Sequence, residues 1–202
     1  MGSIIAILTS YLIGSLIFSF IVGKLLKGVD VRKHGSGNAG ATNTLRVIGV
    51  GPAIIVFLLD VCKGLLAIVL ASLFAPDRQW VEVACGLAAI AGHNWPVWFH
   101  FKGGKGIATT IGMIIALAPL AGVIAGVIAI LSIVITRYVS FGSLLFTAFI
   151  PVFVFVLSYP IEIFWGSLLI MVLAWYRHRS NIVKLLRGQE NKLGSKGKTQ
   201  HI

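Results

Sequence analysis

The sequence predicts an all-α integral membrane protein with seven transmembrane helices, its N-terminus outside and its C-terminus cytoplasmic. Three observations predict it. Of the 202 residues, 57% are hydrophobic and 11% charged, and the mean hydropathy is +0.96; soluble chains carry about a quarter charged residues. Residues 106–136 contain no Asp, Glu, Lys or Arg, and uncharged apolar runs beyond ~18 residues read as bilayer-spanning. The third observation is the one-sided placement of the cations.

Apolar segments fall at about 3–26, 52–75, 80–99, 107–136, 139–157 and 160–176. No Lys or Arg precedes the first, and its apolar run continues from Ile4 to Gly23 with no small-residue cleavage pattern, so it reads as a first transmembrane helix and not a signal peptide. The fourth segment is too long for one span at ~1.5 Å per residue across a ~30 Å core, and short for two. Charge parity decides between them. Lys102 and Lys105 precede it and Arg137 follows it; basic residues in short loops favour the cytoplasm. Both ends are then inside, and the segment crosses twice, with Pro119 in Leu117-Ala118-Pro119-Leu120 as the outer turn. In this arrangement all but Arg78 and Lys63 of the 17 Lys and Arg lie inside. Arg78 sits outside beside Asp77 and Glu82, and Lys63 lies within the second span. A six-span arrangement would expel the basic C-terminus.

The net charge of +11 would suggest nucleic acid in a soluble protein. Here it marks the inner face, and no nucleic-acid partner is expected. Cys62 and Cys85 have neither disulfide nor metal spacing. No internal repeat is evident, and residues 1–190 read as a single transmembrane domain followed by a flexible polar cytoplasmic tail, 191–202. Apart from Tyr11, the Trp and Tyr residues lie near span ends, as interfacial anchors do.

Three non-apolar stretches remain, and parity puts all three on the cytoplasmic side. The first, His34 to Arg46, combines Gly35, Gly37 and Gly40 with Ser36, Asn38, Thr42 and Asn43. Successive backbone N–H groups there form an anion-binding concavity, and Arg46 can grip a phosphate with two hydrogen bonds. A plain turn between helices accounts for the same residues. The second ends in Lys102-Gly103-Gly104-Lys105-Gly106 immediately before a helix expected from about Ile107. Backbone donors, the helix N-terminus and Lys105 would converge there on one anion; the alternative is a basic turn flanking the membrane. This is not a Walker A loop, because the G-x-x-x-x-G-K-[ST] spacing is missing. In the third, His178 and Asn181 share a face if the helix continues from the last span, while Arg177 and Arg179 read by default as membrane anchors.

Asp60 and Lys63, at i and i+3 within the second span, read first as a buried structural ion pair and second as a functional site. The inner loops hold few carboxylates, and no paired acids or H-E-x-x-H motif appears, so no metal site is expected. Two anion cradles without a metal cage point to chemistry between two phosphorylated substrates. An anion transporter is the competing class, opposed by the missing repeat and the one-sided polarity. A CDP-alcohol phosphotransferase would need clustered aspartates.

Gly-Ser-Gly-Asn-Ala-Gly-Ala-Thr-Asn at 35–43, Gly-His-Asn-Trp-Pro at 92–96 with Phe-Lys-Gly-Gly-Lys-Gly at 101–106, and His-Arg-Ser-Asn-Ile at 178–182 with Gly-Gln-Glu at 188–190 closely resemble the three motifs of the bacterial acyl-phosphate:glycerol-3-phosphate acyltransferases. The resemblance covers residues 1 to about 190, in motif order. It implies transfer of a fatty acyl group from acyl phosphate to the 1-hydroxyl of glycerol 3-phosphate, giving lysophosphatidic acid and phosphate in the bacterial inner membrane, without cofactors. It implies a catalytic centre of Ser36, Arg46, Lys105, His178 and Asn181. Gly37, Asn38, Thr42, Asn43, Gly103, Gly104, Gly106 and, more weakly, Ser143 would line the substrate site, with Glu190 ordering the third motif. The expected partners are the two substrates, membrane lipids and, transiently, a soluble acyl-phosphate synthase. The H-x-x-x-x-D motif of other glycerol-phosphate acyltransferases is absent: the fifth position after His34 is Ala39 and after His93 is Trp98.

Overall fold

A computed structural model describes residues 1–194. Among these residues all regular structure is helical. The α-helices are α1 (Gly2–Gly14), α2 (Phe18–Lys27), α3 (Ala41–Ile48), α4 (Val50–Phe74), α5 (Gln79–Asn94), α6 (Ile107–Leu117), α7 (Pro119–Thr136), α8 (Val139–Val156), α9 (Ile161–Arg177) and α10 (Arg179–Leu186). By length and composition four runs can cross a membrane: Gly2–Lys27, Val50–Phe74, Pro119–Thr136 and Val139–Val156. Helices α5, α6 and α9 are shorter, at 16, 11 and 17 residues.

The first apolar segment is not one helix, as the pattern of its residues suggests, but two. The chain leaves helical geometry between Gly14 and Phe18, with Ile17 at φ −96°, ψ 90°. A break inside an apolar environment needs its backbone groups satisfied from elsewhere. Lys63 of α4 meets that need, its ammonium donating to the Leu16 carbonyl at 2.9 Å. The long fourth segment also divides. Ala118 (φ −148°, ψ 65°) ends α6, and Pro119 starts α7, where a proline's missing N–H costs nothing. Two short helices were not evident in the polar stretches. The Thr/Asn-rich half of the first motif forms α3, and α10 follows α9 after a single non-helical residue, His178.

Helix α1 packs between α4 and α5, α4 lies along α6, and α7, α8 and α9 pack in succession. Ala6, Ala67, Ala71 and Ala89 fill the first contact; Met113, Ile114, Ile150 and Ile170 centre the main core. Between apolar helices in lipid, close backbone approach supplies the attraction, and small residues permit it. At the α4–α6 crossing Gly64 faces the Thr109 carbonyl and Gly112 faces the Val61 carbonyl, so a Cβ at either would collide with backbone. Ile4, Leu73, Val134 and Ile135 are exposed on the outer helix faces, as lipid-facing side chains are.

Gly112→Ala therefore lowers stability by about 1–3 kcal/mol, the range for overpacking a tight contact, seen as a lower melting temperature in detergent. Gly51→Ala, whose new methyl meets nothing within 4 Å, leaves the melting temperature unchanged or raised, as helix propensity dictates.

Candidate active site

The first motif is shaped by one buried amide. Asn43, on the first turn of α3, accepts from the Ser36 backbone N–H (2.8 Å) and hydroxyl (3.1 Å) at Oδ1, and donates from Nδ2 to the carbonyls of Val31 (2.7 Å) and His34 (3.1 Å). Its hydrogen-bonding capacity is thus spent on the chain itself. Asn43 sets the turn that presents exposed Ser36 and Gly37. Asp30 caps the preceding turn and pairs with Arg32 at 2.9 Å. That hydrogen-bonded pairing holds the Asp30 carboxyl below its usual range. The Arg32 guanidinium lies over the rings of Phe20 (4.7 Å) and Phe99 (4.9 Å), which ties the first motif to the loop leading into the second.

The second motif is held from both sides. The Gly104 N–H donates to the His93 carbonyl at 3.0 Å. From the opposite side the Arg177 guanidinium, at the end of α9, donates to the Gly104 carbonyl (Nη2 2.6 Å, Nε 3.0 Å) and to the Gly103 carbonyl (3.2 Å). Arg177, expected as a membrane anchor, is therefore a clamp on the glycine loop, with the Trp95 ring beneath it at 5.5 Å. Gly104 is wedged so tightly that a Cβ would strike the His93 ring and the Ala39 carbonyl; Gly106, at φ +81°, caps α6 in the left-handed conformation that favours glycine. The N-terminus of α6 has no side-chain cap, which leaves its first N–H groups available for an anion.

The third motif meets the second through a chain of side chains. The Lys105 ammonium donates to Asn181 Oδ1, and Asn181 Nδ2 donates to Glu190 Oε1 at 2.9 Å. Glu190 thus fixes the orientation of the Asn181 amide. His178, 3% exposed, places Nδ1 at 2.8 Å from the Ala174 carbonyl. A carbonyl only accepts, so Nδ1 carries the proton and Nε2 is the acceptor in the neutral ring. Burial, helped by the nearby charges of Lys105 and Arg177, pushes the imidazole down to about 4. Burial also lowers the Lys105 ammonium to about 8 against the opposing pull of Glu190, with Arg46, Arg177 and Lys184 adding to the lowering.

All three motifs open on one cavity of about 920 Å³. Its polar end carries Ser36, Gly37, Asn38, Thr42, Asn43, Arg46, Gly103, Lys105, Gly106, His178 and Asn181, together with Arg177, Lys184 and Glu190; Gly104 lies in the same loop. Ser143 joins the wall where α8 begins, its hydroxyl donating to the Val139 carbonyl at 2.9 Å. The other end is a trough along α6, α7 and α8, walled by Ile111, Ile115, Val127, Ile130 and Phe146. Beyond Glu190, Arg46 reaches the Asn191 carbonyl at 3.5 Å, the Leu193 N–H donates to the Arg137 carbonyl at 2.7 Å, and the Arg137 guanidinium donates to the Leu193 carbonyl (Nη2 2.8 Å, Nε 3.2 Å). Residues 195–202 of the predicted tail lie outside the described residues. Among the described residues there is no group of three or more His, Cys, Asp or Glu suited to a metal ion. A second cavity, around Ser72, Asp77, Arg78 and Glu82 where α4 ends and α5 begins, contains no motif residue.

Known proteins share both sequence and shape with this chain. The family model described as glycerol-3-phosphate acyltransferase matches residues 4–188. The glycerol-3-phosphate acyltransferase of Halalkalibacterium halodurans is 56% identical over 198 residues, covering 96% of each chain; that of Shouchella clausii is 50% identical over 198 residues, covering 96% of this chain and 97% of its own. A crystal structure of PlsY (YgiH), an integral membrane glycerol 3-phosphate acyltransferase in its glycerol 3-phosphate form, matches with a TM-score of 0.91 at 38% identity over 96% of both chains. Its lysophosphatidic acid form matches at 0.89 with the same identity and coverage.

Two titrations follow from the site. In ¹⁵N NMR of the purified protein His178 stays neutral until about pH 4, and Lys105→Ala, which removes a neighbouring positive charge, moves its titration upward. Inorganic phosphate, followed by calorimetry, binds more weakly as the pH rises through about 8 and Lys105 loses its charge. Lys105→Arg, charged throughout that range, removes this alkaline loss.

Proposed function

Because the chain belongs to the glycerol-3-phosphate acyltransferase family, we propose that it transfers a fatty acyl group from acyl phosphate to the 1-hydroxyl of glycerol 3-phosphate, the first acylation step of bacterial phospholipid synthesis. The observation that carries this reading is the shape of the cavity, a cationic glycine-rich end continuous with an apolar trough. An acyl phosphate has that same form, a phosphate head on an aliphatic chain.

In the proposed reaction the 1-hydroxyl oxygen attacks the acyl carbonyl carbon. The carbon–oxygen bond to phosphate then breaks, and lysophosphatidic acid and inorganic phosphate leave. A mixed anhydride already carries a good leaving group, so the enzyme's task is to hold two anions together and orient the hydroxyl, and no cofactor or metal is called for. Arg46, Lys105 and the N–H groups around Gly103, Gly104 and Gly106 would offset the repulsion, in a site partly closed to water where such donors are strong. Positioning of the hydroxyl adds a proximity contribution of several kcal/mol. Asn181 would donate to a phosphate oxygen through the Nδ2 hydrogen not given to Glu190, the Ser36 hydroxyl would do so by turning away from Asn43 Oδ1, and Gly37, Asn38, Thr42 and Ser143 would line the substrates, with Asn43 shaping the turn beneath them.

The proton of the attacking hydroxyl passes, in this reading, to a phosphate oxygen of the acyl donor. The support is His178: an imidazole pushed down to about 4 is a weak base at neutral pH, while its Nε2 can still accept a hydrogen bond that orients the hydroxyl. The membrane arrangement proposed is seven spans in the bacterial inner membrane over a single domain, with the N-terminus outside and the active site and C-terminus cytoplasmic. The concentration of Lys and Arg beside the site supports that orientation. On that face the site is open to soluble glycerol 3-phosphate, to membrane lipid and to transient docking of a soluble acyl-phosphate synthase.

The test is phosphate release by the protein in lipid, given acyl phosphate and glycerol 3-phosphate without metal or coenzyme A. Release that requires glycerol 3-phosphate is expected, with Lys105→Ala lowering kcat/KM by about 10²–10³-fold, as for loss of one charge-stabilising donor. No release from folded protein would refute the acyl-phosphate reading. His178→Gln is expected to keep measurable turnover, which would rule out an essential His178 base; complete loss would be as consistent with a group that orients the hydroxyl as with a base.

A further inference from the structure

Below the glycine loop lies a buried group of charges with no place in the chemistry above. Asp60, Lys63 and His93 are 1%, 2% and 4% exposed. The Lys63 ammonium donates to the Leu16 carbonyl at 2.9 Å and to His93 Nδ1 at 2.8 Å, and forms an ion pair with Asp60 Oδ1 at 2.8 Å, an oxygen that also lies 3.4 Å from His93 Nδ1. The Phe18 ring closes that side at 5.5 Å. An ammonium has no acceptor capacity, so the hydrogen bond to His93 is Lys63 N–H to Nδ1, and the neutral imidazole carries its proton on Nε2. Nε2 faces upward. It abuts Gly104 beside the Ala39 carbonyl, where the second motif packs against the first, and His93 forms part of the cavity wall.

We infer that Asp60 and Lys63 fix His93 as a positioning residue for the anion cradle. Lys63 locks the ring so that its Nε2–H is held at the cavity floor between Ala39 and Gly104. The inference rests on the reading of the cavity as a phosphate site. Three features separate it from a buried ion pair that only stabilises. The pair is not closed on itself, because the lysine spends one donor on an imidazole. The imidazole's other nitrogen reaches the one glycine that is held by both His93 and Arg177. Asp60 and His93 both line the cavity, although Asp60 belongs to none of the three motifs. A buried pair serving stability alone is often replaceable by neutral residues at no loss. One that sets a tautomer is not.

The two amide substitutions of His93 divide the hypotheses. His93→Asn places its amide near the former Nδ1, so it can still accept from Lys63 but presents nothing to the cradle. His93→Gln carries a donor near the former Nε2. With a positioning role, His93→Gln keeps the KM for glycerol 3-phosphate and the Kd for inorganic phosphate close to those of the parent. His93→Asn then raises both about tenfold or more, the loss of a charge-assisted hydrogen-bond network, with kcat changed far less. The reverse order, or equal effects, would overturn the inference, since satisfying Lys63 would then be the whole role of the ring. Should either variant fail to fold, ¹⁵N NMR of the parent decides: an Nε2–H tautomer at His93 is expected, and an Nδ1–H tautomer overturns the assignment. Phosphate binding that follows the predicted order in a protein without acyl transfer would uphold the positioning role and refute the proposed reaction instead.

Discussion

The Arg177 clamp on the carbonyls of Gly103 and Gly104 is the contact on which the rest of the site depends. One guanidinium at the end of α9 takes up the carbonyl side of a loop that has no side chains of its own to hold it. With those carbonyls turned towards α9, and Gly104 N–H turned to His93, Lys105 and the uncapped start of α6 are left facing the cavity. The same clamp brings the third motif against the second, which puts Asn181 within reach of Lys105. Without it, the contact of Lys105 with Asn181 would be left to hold the second motif to the third.

The site concentrates positive charge with little acid to balance it. Arg46, Lys105, Arg177 and Lys184 share the polar end of the cavity with Glu190, whose carboxylate is committed to Asn181. Burial, and after it mutual repulsion, is visible in the lowered Lys105 and His178. Cations gathered in this way repel one another, and in the proposed reaction a phosphate dianion would relieve that repulsion. Its cost is met by the helical frame, where close contacts such as that of Gly64 and Gly112 hold the helices against the repulsion of the groups at their ends. Beneath, Lys63 is fully occupied by Asp60, Leu16 and His93, so the intramembrane charge is neutralised locally.

Much of the site was legible because glycine, lysine and small polar residues are conspicuous in an apolar chain. The motif loops, the helix beginning at Ile107 and the turn at Pro119 all stand at positions the residues suggest. Asn43 and Arg177 were legible only as residue types. Their polarity identified them, but nothing in the spacing distinguishes an amide that meets substrate from one whose four hydrogen bonds are all to its own turn, or an interfacial anchor from a clamp. His93 had even less signal, since one histidine near the end of an apolar segment has no spacing that identifies a partner.

Composition and charge by themselves determined an all-helical membrane protein, because an apolar chain in lipid must satisfy its backbone within helices and because unpaired cations are costly to bury, so that Lys63 apart they fall at or beyond the ends of the apolar runs. They also placed the glycines, cations and small polar residues outside the apolar runs in three stretches. The tertiary structure alone decided how those stretches converge, where the first segment breaks and why Lys63 lies in an apolar helix. These outcomes depend on contacts between residues distant in sequence: Lys63 with Leu16 and His93, Arg177 with Gly104, Lys105 with Asn181. Periodicity describes one helix at a time, and the partner of a buried charge is fixed only when the helices pack.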